Sequence, residues 1–255
     1  MRIVCGVEYD GSGYSGWQFQ DGATTVQAVV EEALSRVADH PLRVVCAGRT
    51  DTGVHATGQV IHFDTHARRE MRSWVLGANV NLPADVCIRW AVERDEGFHA
   101  RFSAVARCYR YVILNRPVRP AIERNHSTWN FRPLDVERMR EAAHHLIGEH
   151  DFSSYRAVAC QAKSPVRNLY RLALNRVGDK IVLDLEANGF LHHMVRNIAG
   201  VLMAIGSGER EPDWAREVLE QQDRRVGGIT AAPDGLYLTE VRYPEQFELQ
   251  GVRPW

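Results

Sequence analysis

A single carboxylate, Asp51, lies in a glycine-punctuated loop whose sequence is AGRTDTGVHA over residues 47–56. Arg49 precedes it by two residues, and His55 follows it by four. A neighbouring cation keeps a carboxylate ionised, and an ionised carboxylate can act as a nucleophile or as a general base. An isolated Arg-x-Asp more often forms a surface ion pair of little energetic value. The position of this loop between two apolar runs favours a reactive role for Asp51.

Two other classes of chemistry are weaker interpretations of these residues. Asp51-Thr52-Gly53 is the tripeptide of aspartic proteases, but those enzymes need two carboxylates that share a proton. This chain contains Asp-Thr-Gly once, and symmetric dimers that supply a second copy are built from much shorter chains. A metal hypothesis rests on His55, His62, His66, His192 and His193. His62 falls on a predicted strand, and the adjacent His192 and His193 point in different directions from a predicted helix, so no metal site is predicted.

The second half of the chain offers further candidates, each with a structural alternative. Arg196 lies opposite the apolar face of a predicted helix, as an anion partner or as part of a solvated face. Tyr109 and Tyr111 share one face of a predicted strand, where they either fill the core or stack on bases, at roughly 1–3 kcal/mol per base. The insertion over residues 150–168 either binds phosphates or is a solvated loop, which is the favoured interpretation without further context. Its basic residues include Arg156, Lys163 and Arg167.

Net charge, cysteine spacing and apolar runs limit the binding sites and the cellular compartment that this chain can have. The formal net charge is −1 over 255 residues, so polyanion binding requires a local basic cleft. Apart from Lys163 and Lys180 the basic residues are arginines, which suit bidentate contacts to phosphate. Five scattered cysteines without a Cys-x-x-Cys pair predict neither a disulfide framework nor a zinc site. With no export signal and no run of about 20 apolar residues, we expect a cytoplasmic protein without a membrane segment.

Hydrophobic periodicity predicts the elements that must position these residues. The first half has predicted strands at 3–9, 42–46, 59–64 and 88–92, and predicted helices at 26–38 and 70–80. The second half has predicted strands at 108–114, 169–177, 180–186 and 236–241, helices at 136–147 and 191–205, and a short helix opened by Pro212. Thr24 and Gln27 are the predicted capping box of the first helix. Asp135 and Gly148 are the predicted start and stop signals of the helix at 136–147.

Each half therefore reads β-α-β-β-α-β, which predicts an α+β fold of two ferredoxin-like halves. RNA-recognition domains share this topology. We expect the halves to comprise residues 1–105 and 106–255. A central, mainly antiparallel sheet should join them, with a catalytic cleft between them. Topology by itself assigns no function.

Separated motifs follow one another in a fixed order along the chain. They are YDGSGYSGWQ at 9–18, TVQ at 25–27, GRTDTGVHA at 48–56, CYRY at 108–111, FLHHMVRN at 190–197 and GLYL at 235–238. In content and order they resemble the tRNA pseudouridine synthase A family, and the resemblance covers nearly the whole chain. Thr52 stands where that family usually has alanine, and Ser12 where threonine is common. The charged groups of the motifs are all present.

This resemblance implies that the chain isomerises uridine to pseudouridine at positions 38, 39 and 40 of the tRNA anticodon stem-loop, without a cofactor or metal. It implies Asp51 as the nucleophile, Tyr109 against the uracil ring and Arg196 as the partner that keeps Asp51 ionised. Leu236 would form an apolar wall, and Arg49 would help to extrude the uridine, since a stacked base cannot react. Substrate binding is further assigned to His55, Arg156, Lys163 and Arg167. The family implies two partners, tRNA and a second copy of the chain.

Overall fold

A computed structural model describes residues 1–249 of the chain. These residues form two compact units: Met1–Ala106 together with the residues from Tyr237 onward, and Arg107–Leu236. The secondary structure is mixed α+β with mostly antiparallel strands. No helix among the described residues is both long and apolar enough to cross a lipid bilayer.

The first unit is an antiparallel sheet with two helices. Its elements are β1 (Arg2–Tyr9), α1 (Val26–Ala38), β2 (Val45–Cys46), β3 (His55–Asp64), α2 (Met71–Asn81) and β4 (Val86–Arg94). β1 lies between β4 and β3 and pairs antiparallel with both, and β2 adds to β3. Packing is dense, with Trp74 of α2 fully buried in edge contact with Phe63 of β3. This order of elements is the one that periodicity predicts.

The second unit contains more strands than periodicity predicts. Its elements are β5 (Ala106–Asn115), β6 (Thr128–Asn130), α3 (Val136–His144), β7 (Gly148–Asp151), β8 (Val166–Val177), β9 (Lys180–Ala187), α4 (Met194–Gly206) and α5 (Trp214–Gln221). β5, β9, β8 and β7 run antiparallel in that spatial order, and β6 lies parallel to β5. β6 and β7 have only 3 and 4 residues and no apolar alternation, so the sequence gives no strand signal there.

The last strand, β10 (Leu236–Arg242), returns the chain to the first unit. It runs parallel to β3, with Tyr237 opposite His55 and Leu238 opposite Ala56. Gly58 on β3 permits the approach, because a Cβ there would lie 2.1 Å from the Thr239 carbonyl oxygen. The final strand therefore borders the start of β3, directly after the Asp51 loop.

The capping box predicted for the first helix is wrong. Thr25, not Thr24, caps α1, and its hydroxyl accepts a backbone N–H of the first turn at 3.4 Å. Gln27 points inward and donates to the buried Glu31 carboxylate at 2.8 Å. That carboxylate also accepts the Val44 N–H, which removes this residue from the predicted strand and shortens β2.

Two helix boundaries in the second unit also differ from the prediction. α3 ends at His144, because Gly148 with φ 107° already opens β7 and the residues before it form a turn. α4 begins at Met194 rather than Leu191, because His193 has a left-handed φ of 62°. A helix cannot continue backwards through a left-handed residue. The apolar periodicity runs through this break and therefore hides it.

His62 makes folding stability depend on pH. It is 4% exposed on β3, and its Nδ1 accepts the Ala100 N–H at 3.1 Å. Burial and the Arg2 guanidinium lower the pKa of His62 from 6.5 to about 4, against the opposing effect of Asp64. Because the unfolded chain then takes up this proton first, stability falls as the pH drops from 6.5 towards 4. We expect His62 to account for a loss of about 2 kcal/mol between pH 7 and pH 5.

Urea unfolding of the wild type and of His62→Gln at the two pH values tests this dependence. Glutamine keeps an acceptor for the Ala100 N–H but does not titrate. The pKa of His99 is also lowered by burial, but that histidine is present in both proteins and cancels in the difference. Equal pH sensitivity of the two proteins would contradict the assignment to His62.

Candidate active site

The loop that carries Asp51 connects β2 to β3. The Val54 N–H donates to the Asp51 carbonyl oxygen at 3.1 Å, and Gly53 has a left-handed φ of 77°. A tight turn therefore follows the carboxylate directly. Asp51 is half-buried and Arg49 is exposed, whereas Thr50 between them is only 7% exposed. The loop thus displays its two charged side chains on either side of an inward-facing threonine.

Residues 9–17 form a supporting segment that hydrogen-bonds to this loop. The Tyr9 hydroxyl lies 2.7 Å from Thr50 Oγ1, and the Trp17 N–H donates to the Thr50 carbonyl at 3.0 Å. On the far side of Asp51, the Gly53 N–H donates to the Tyr14 carbonyl at 3.4 Å. The chain is therefore held both before and after the carboxylate. These contacts give the motif at 9–18 a physical purpose.

Two glycines allow the supporting segment to approach the loop. A Cβ on Gly16 would lie 2.7 Å from the Thr50 carbonyl oxygen, and its φ of 83° is itself one that favours glycine. A Cβ on Gly11 would lie 2.0 Å from the Val54 carbonyl oxygen. Real Cβ contacts are longer than either distance, so a larger side chain at these positions would push the loop away.

Gln59 fixes the entrance of the loop. It is fully buried on β3, and its Nε2 donates to the Gly48 carbonyl at 2.6 Å. Its Oε1 accepts the Gly48 N–H at 3.4 Å and the Val60 N–H at 3.2 Å. One amide side chain thus satisfies both polar backbone groups of the residue before Arg49.

Replacing Gln59 with leucine should therefore destabilise the first unit. The change leaves the Gly48 N–H and carbonyl without their partner, and we expect a loss of about 1–3 kcal/mol in the free energy of unfolding. Urea denaturation measures it, and Gln221→Leu on the exposed surface of α5 is the control. If the leucine variant at position 59 unfolds like the control, the Gln59 hydrogen bonds to Gly48 do not stabilise the unit.

His55, the first residue of β3, contacts the supporting segment at Gly11. It is 1% exposed, its Nδ1 accepts the Gly11 N–H at 3.1 Å, and its ring stacks on Tyr237 of β10 at 4.7 Å. Asp10 Oδ1 also lies 3.1 Å from Nδ1. These contacts make His55 part of the framework around the loop.

The two tyrosines of β5 occupy different environments. Tyr109 is 9% exposed and makes an edge-to-face contact with Phe190, with ring centroids 5.0 Å apart. Tyr111 is fully buried, and its hydroxyl bonds to Thr128 Oγ1 at 2.6 Å and to the Ala232 carbonyl at 2.8 Å. Burial raises the pKa of Tyr111 strongly. Of the two interpretations of Tyr111, the core position is therefore the observed one.

Arg196 on α4 is tied to the chain segment that precedes β10. Its Nε donates to the Ala231 carbonyl at 2.7 Å, and the Ala231 N–H donates back to the Arg196 carbonyl at 3.1 Å. Gly200, one turn further, lets the segment approach so closely that a Cβ would lie 1.9 Å from the Ile229 carbonyl oxygen. The narrow face of α4 is thus covered by the chain itself, and the guanidinium plane of Arg196 is fixed.

A buried network holds that segment in place. Arg224 Nη2 donates to Asn197 Oδ1, to the Gly228 carbonyl and to Thr230 Oγ1 at 2.9–3.0 Å. Asn197 is 2% exposed and donates from Nδ2 to the Tyr155 carbonyl at 2.7 Å. Of the two interpretations of this helix face, the solvated one therefore does not apply to Asn197, because a polar side chain with this many internal partners belongs to the core.

Residues 150–168 are more regular than the insertion that the sequence predicts. β7 ends at Asp151, a short 3₁₀ helix covers Ser153–Tyr155, and β8 begins at Val166. Tyr155 is fully buried and donates to the Ala215 carbonyl at 2.9 Å. The predicted irregular loop is thus confined to the residues between the 3₁₀ helix and β8.

The basic residues of this region differ in how they are held. Lys163 is exposed, whereas Arg156 and Arg167 are half-buried. Arg167 donates to the Val166 carbonyl at 2.6 Å, and burial lowers its pKa.

Leu236, the last residue of the second unit, is 5% exposed, and its N–H donates to the Pro233 carbonyl at 2.8 Å.

Comparison with known proteins gives this geometry its family. The family model described as tRNA pseudouridine synthase matches residues 6–103 and 142–244. A protein named tRNA pseudouridine synthase A from Methylococcus capsulatus is 61% identical over 249 residues, covering 98% of this chain and 92% of the relative. Relatives of the same name from Nitrosococcus oceani and Pseudomonas aeruginosa are 61% and 59% identical, covering 98% and 97% of this chain and 96% and 87% of theirs. This chain belongs to the tRNA pseudouridine synthase family.

The candidate residues differ in whether they lie within the two ranges that the family model matches. The first contains the Asp51 loop and the whole segment that supports it, and the second contains Arg196 and Leu236. Tyr109 lies between the matched ranges, so its role stays a prediction from the motif at 108–111.

Sequence reasoning missed three residues that hold the candidate side chains in place. They are Tyr9, Gln59 and Arg224. Gln59 left a usable signal, because a polar residue at the start of an apolar run predicts a buried polar contact. Tyr9 belongs to the motif at 9–18, but neither its contact nor that of Arg224 left a signal, since the partners lie 41 and 27 positions away along the chain.

Proposed function

We infer that this chain is an isomerase that converts uridine to pseudouridine in tRNA. The observation that carries the inference is the Asp51 loop, in which a carboxylate and Arg49 are displayed by a framework of buried contacts. The loop lies inside the first range matched by the tRNA pseudouridine synthase model, and relatives about 60% identical carry that name.

The reaction explains why one carboxylate is sufficient. Uracil must leave C1′ by cleavage of the N1–C1′ bond, turn, and rejoin C1′ through C5, after which the C5 proton is lost to solvent. An ionised Asp51 serves this sequence by attacking C1′ or C6, or by assisting glycal formation. The carboxylate is regenerated in each case. Nothing is oxidised or hydrolysed, so the balance of atoms requires no co-substrate.

The remaining residues take roles around the uridine. Tyr109 stacks on the uracil ring, Arg196 keeps Asp51 ionised, and Leu236 supplies an apolar wall. Arg49 helps to extrude the base from its stack. Arg156, Lys163 and Arg167 bind phosphates of the tRNA, which gives an otherwise nearly neutral protein a local polyanion site. His55 contributes to substrate binding through the framework beneath the loop.

The family resemblance also supports finer proposals. The targets are uridines 38, 39 and 40 of the anticodon stem-loop, and the enzyme works as a cytoplasmic homodimer that binds tRNA across both protomers. Each protomer comprises two ferredoxin-like halves around a catalytic cleft, with their boundary at residues 105 and 106 and with β10 returning to the first half. The observed β-α-β-β-α-β order of the first half supports that topology.

Release of tritium from tRNA labelled at uridine C5 tests the function. The wild type should release label from anticodon stem-loop uridines and leave pseudouridine in their place. Binding of tRNA without any release of label would instead identify a non-catalytic RNA-binding protein. Release from other positions only would keep the activity but reject the proposed targets.

A further inference from the structure

Thr50, the residue directly before Asp51, is anchored through both its side chain and its carbonyl group. Its Oγ1 lies 2.7 Å from the Tyr9 hydroxyl, and its carbonyl accepts the Trp17 N–H at 3.0 Å. Thr50 is 7% exposed and Tyr9 is 2% exposed. The Tyr9 ring is itself packed against Trp17, with ring centroids 5.8 Å apart. Both the side chain and the carbonyl of Thr50 are therefore fixed to a single rigid segment.

These two hydrogen bonds of Thr50 fix the position and orientation of the backbone at Asp51. The Thr50 carbonyl belongs to the peptide unit that ends at the Asp51 nitrogen, and peptide units are planar. The Trp17 N–H therefore fixes the orientation of that plane. The hydroxyl bond fixes χ1 of Thr50, which is already restricted because the side chain is β-branched. The remaining freedom of Asp51 lies mainly in its own side-chain torsions.

The hydrogen bond between the Tyr9 and Thr50 hydroxyls orients Thr50 more than it stabilises the fold. Replacing both partners of a buried hydrogen bond by apolar groups of the same shape can be nearly neutral for stability. Apolar contacts have no preferred direction, whereas hydrogen bonds weaken steeply when they are bent. Tyr9 is too deeply buried to act as a reacting group.

We propose that the Tyr9 hydroxyl is a positioning group for catalysis, which acts through Thr50 to hold the Asp51 carboxylate in its attacking geometry. The proposal rests on the proposed function, because positioning is defined relative to the reacting uridine. A displacement of about 1 Å in a reacting group can cost about 100-fold in rate. Loss of one hydroxyl should therefore reduce turnover by about 10-fold to 100-fold without weakening tRNA binding.

Four variants test the pair: Tyr9→Phe, Thr50→Val, the double variant Tyr9→Phe/Thr50→Val, and the conservative Thr50→Ser. Each keeps nearly the volume of the original side chain, and phenylalanine keeps the ring that packs on Trp17. Tyr243→Phe is the matched control, because that tyrosine is 5% exposed in the same unit and donates its hydroxyl to the Ala100 carbonyl at 2.7 Å. Tritium release gives kcat and KM, and urea denaturation reports stability.

The expected pattern is specific to positioning. Tyr9→Phe and Thr50→Val should each lower kcat by about 10-fold to 100-fold and leave KM for tRNA within about twofold. The double variant should be no slower than the worse single variant, because both changes remove the same bond. Thr50→Ser should restore kcat to near the wild-type value, and Tyr243→Phe should leave it unchanged.

Several results would overturn the proposal. Wild-type kcat in Tyr9→Phe removes the positioning role, as does a fall in kcat that Tyr243→Phe matches at equal loss of stability. A rise in KM at constant kcat would assign the pair to tRNA binding instead. An inactive wild type would reject the proposed function itself, and this outcome is distinct from an active wild type with unaffected variants.

Discussion

Asp51→Asn is expected to abolish turnover, with tritium release reduced about 10⁴-fold or more. Asparagine has almost the same shape as aspartate and keeps the Val54-to-Asp51 backbone turn, but it carries no charge and is a poor nucleophile. Affinity for tRNA should stay within about tenfold of the wild type, because removal of a negative charge does not weaken binding to phosphates. Single-turnover tritium release and filter binding measure the two quantities on the same preparation.

Two further variants make the Asp51 experiment decisive. Asp51→Ala removes the whole carboxylate and should be as inactive as Asp51→Asn. Asp21→Asn changes an exposed carboxylate in the same unit and should retain wild-type turnover. Substantial activity in both position-51 variants would remove Asp51 from the mechanism and leave the family assignment without its proposed nucleophile.

Arg196→Lys should have the next largest effect, a fall in kcat of about 100-fold. Lysine keeps the positive charge but has no planar guanidinium, and it cannot reproduce the Nε bond to the Ala231 carbonyl while presenting further donors in a fixed plane. If the charge were the only contribution of Arg196, the lysine variant would retain most of its activity. The experiment therefore separates the geometry of this residue from its charge.

The control for Arg196 is Arg216→Lys on α5. Arg216 is a half-exposed residue that pairs with Asp213 at 3.2 Å, and such surface pairs contribute little to stability or activity. It should behave as the wild type in both tritium release and urea unfolding. An equal loss of kcat in the two lysine variants would indicate a nonspecific effect and would contradict the role assigned to Arg196.

The order of the long elements could be predicted from the sequence, because amphipathic periodicity reflects local burial. The prediction failed where structure depends on partners distant in the chain. β6 and β7 exist because β5 and β8 pair with them, and neither has an apolar pattern of its own. The left-handed His193 at the start of α4 lies within a continuous apolar pattern and leaves no signal. Thr24 and Thr25 offer the same capping chemistry, so the sequence could not distinguish them.

The Asp51 loop was predictable from the sequence, but the side chains that support it were not. Glycines and charges around Asp51 indicated a displayed carboxylate, and the order of the motifs indicated the family. The Gln59 clamp and the Tyr9 bond to Thr50 depend on side-chain directions that no periodicity encodes. Tyr155 falls in the predicted irregular insertion and Asn197 on the polar face of a predicted helix, yet both are buried with internal hydrogen bonds. Polar residue types alone do not reveal whether their partner is protein or solvent.

The return of β10 to the first unit sets a limit on when an active enzyme can exist during synthesis. Residues 1–106 leave the ribosome first, but the strand that places Tyr237 opposite His55 comes only after the entire second unit. Until then, the start of β3 has an open edge beside the loop that carries Asp51. Chains that terminate before β10 therefore contain Asp51 but lack the strand that borders its loop, and we expect them to be unable to modify RNA.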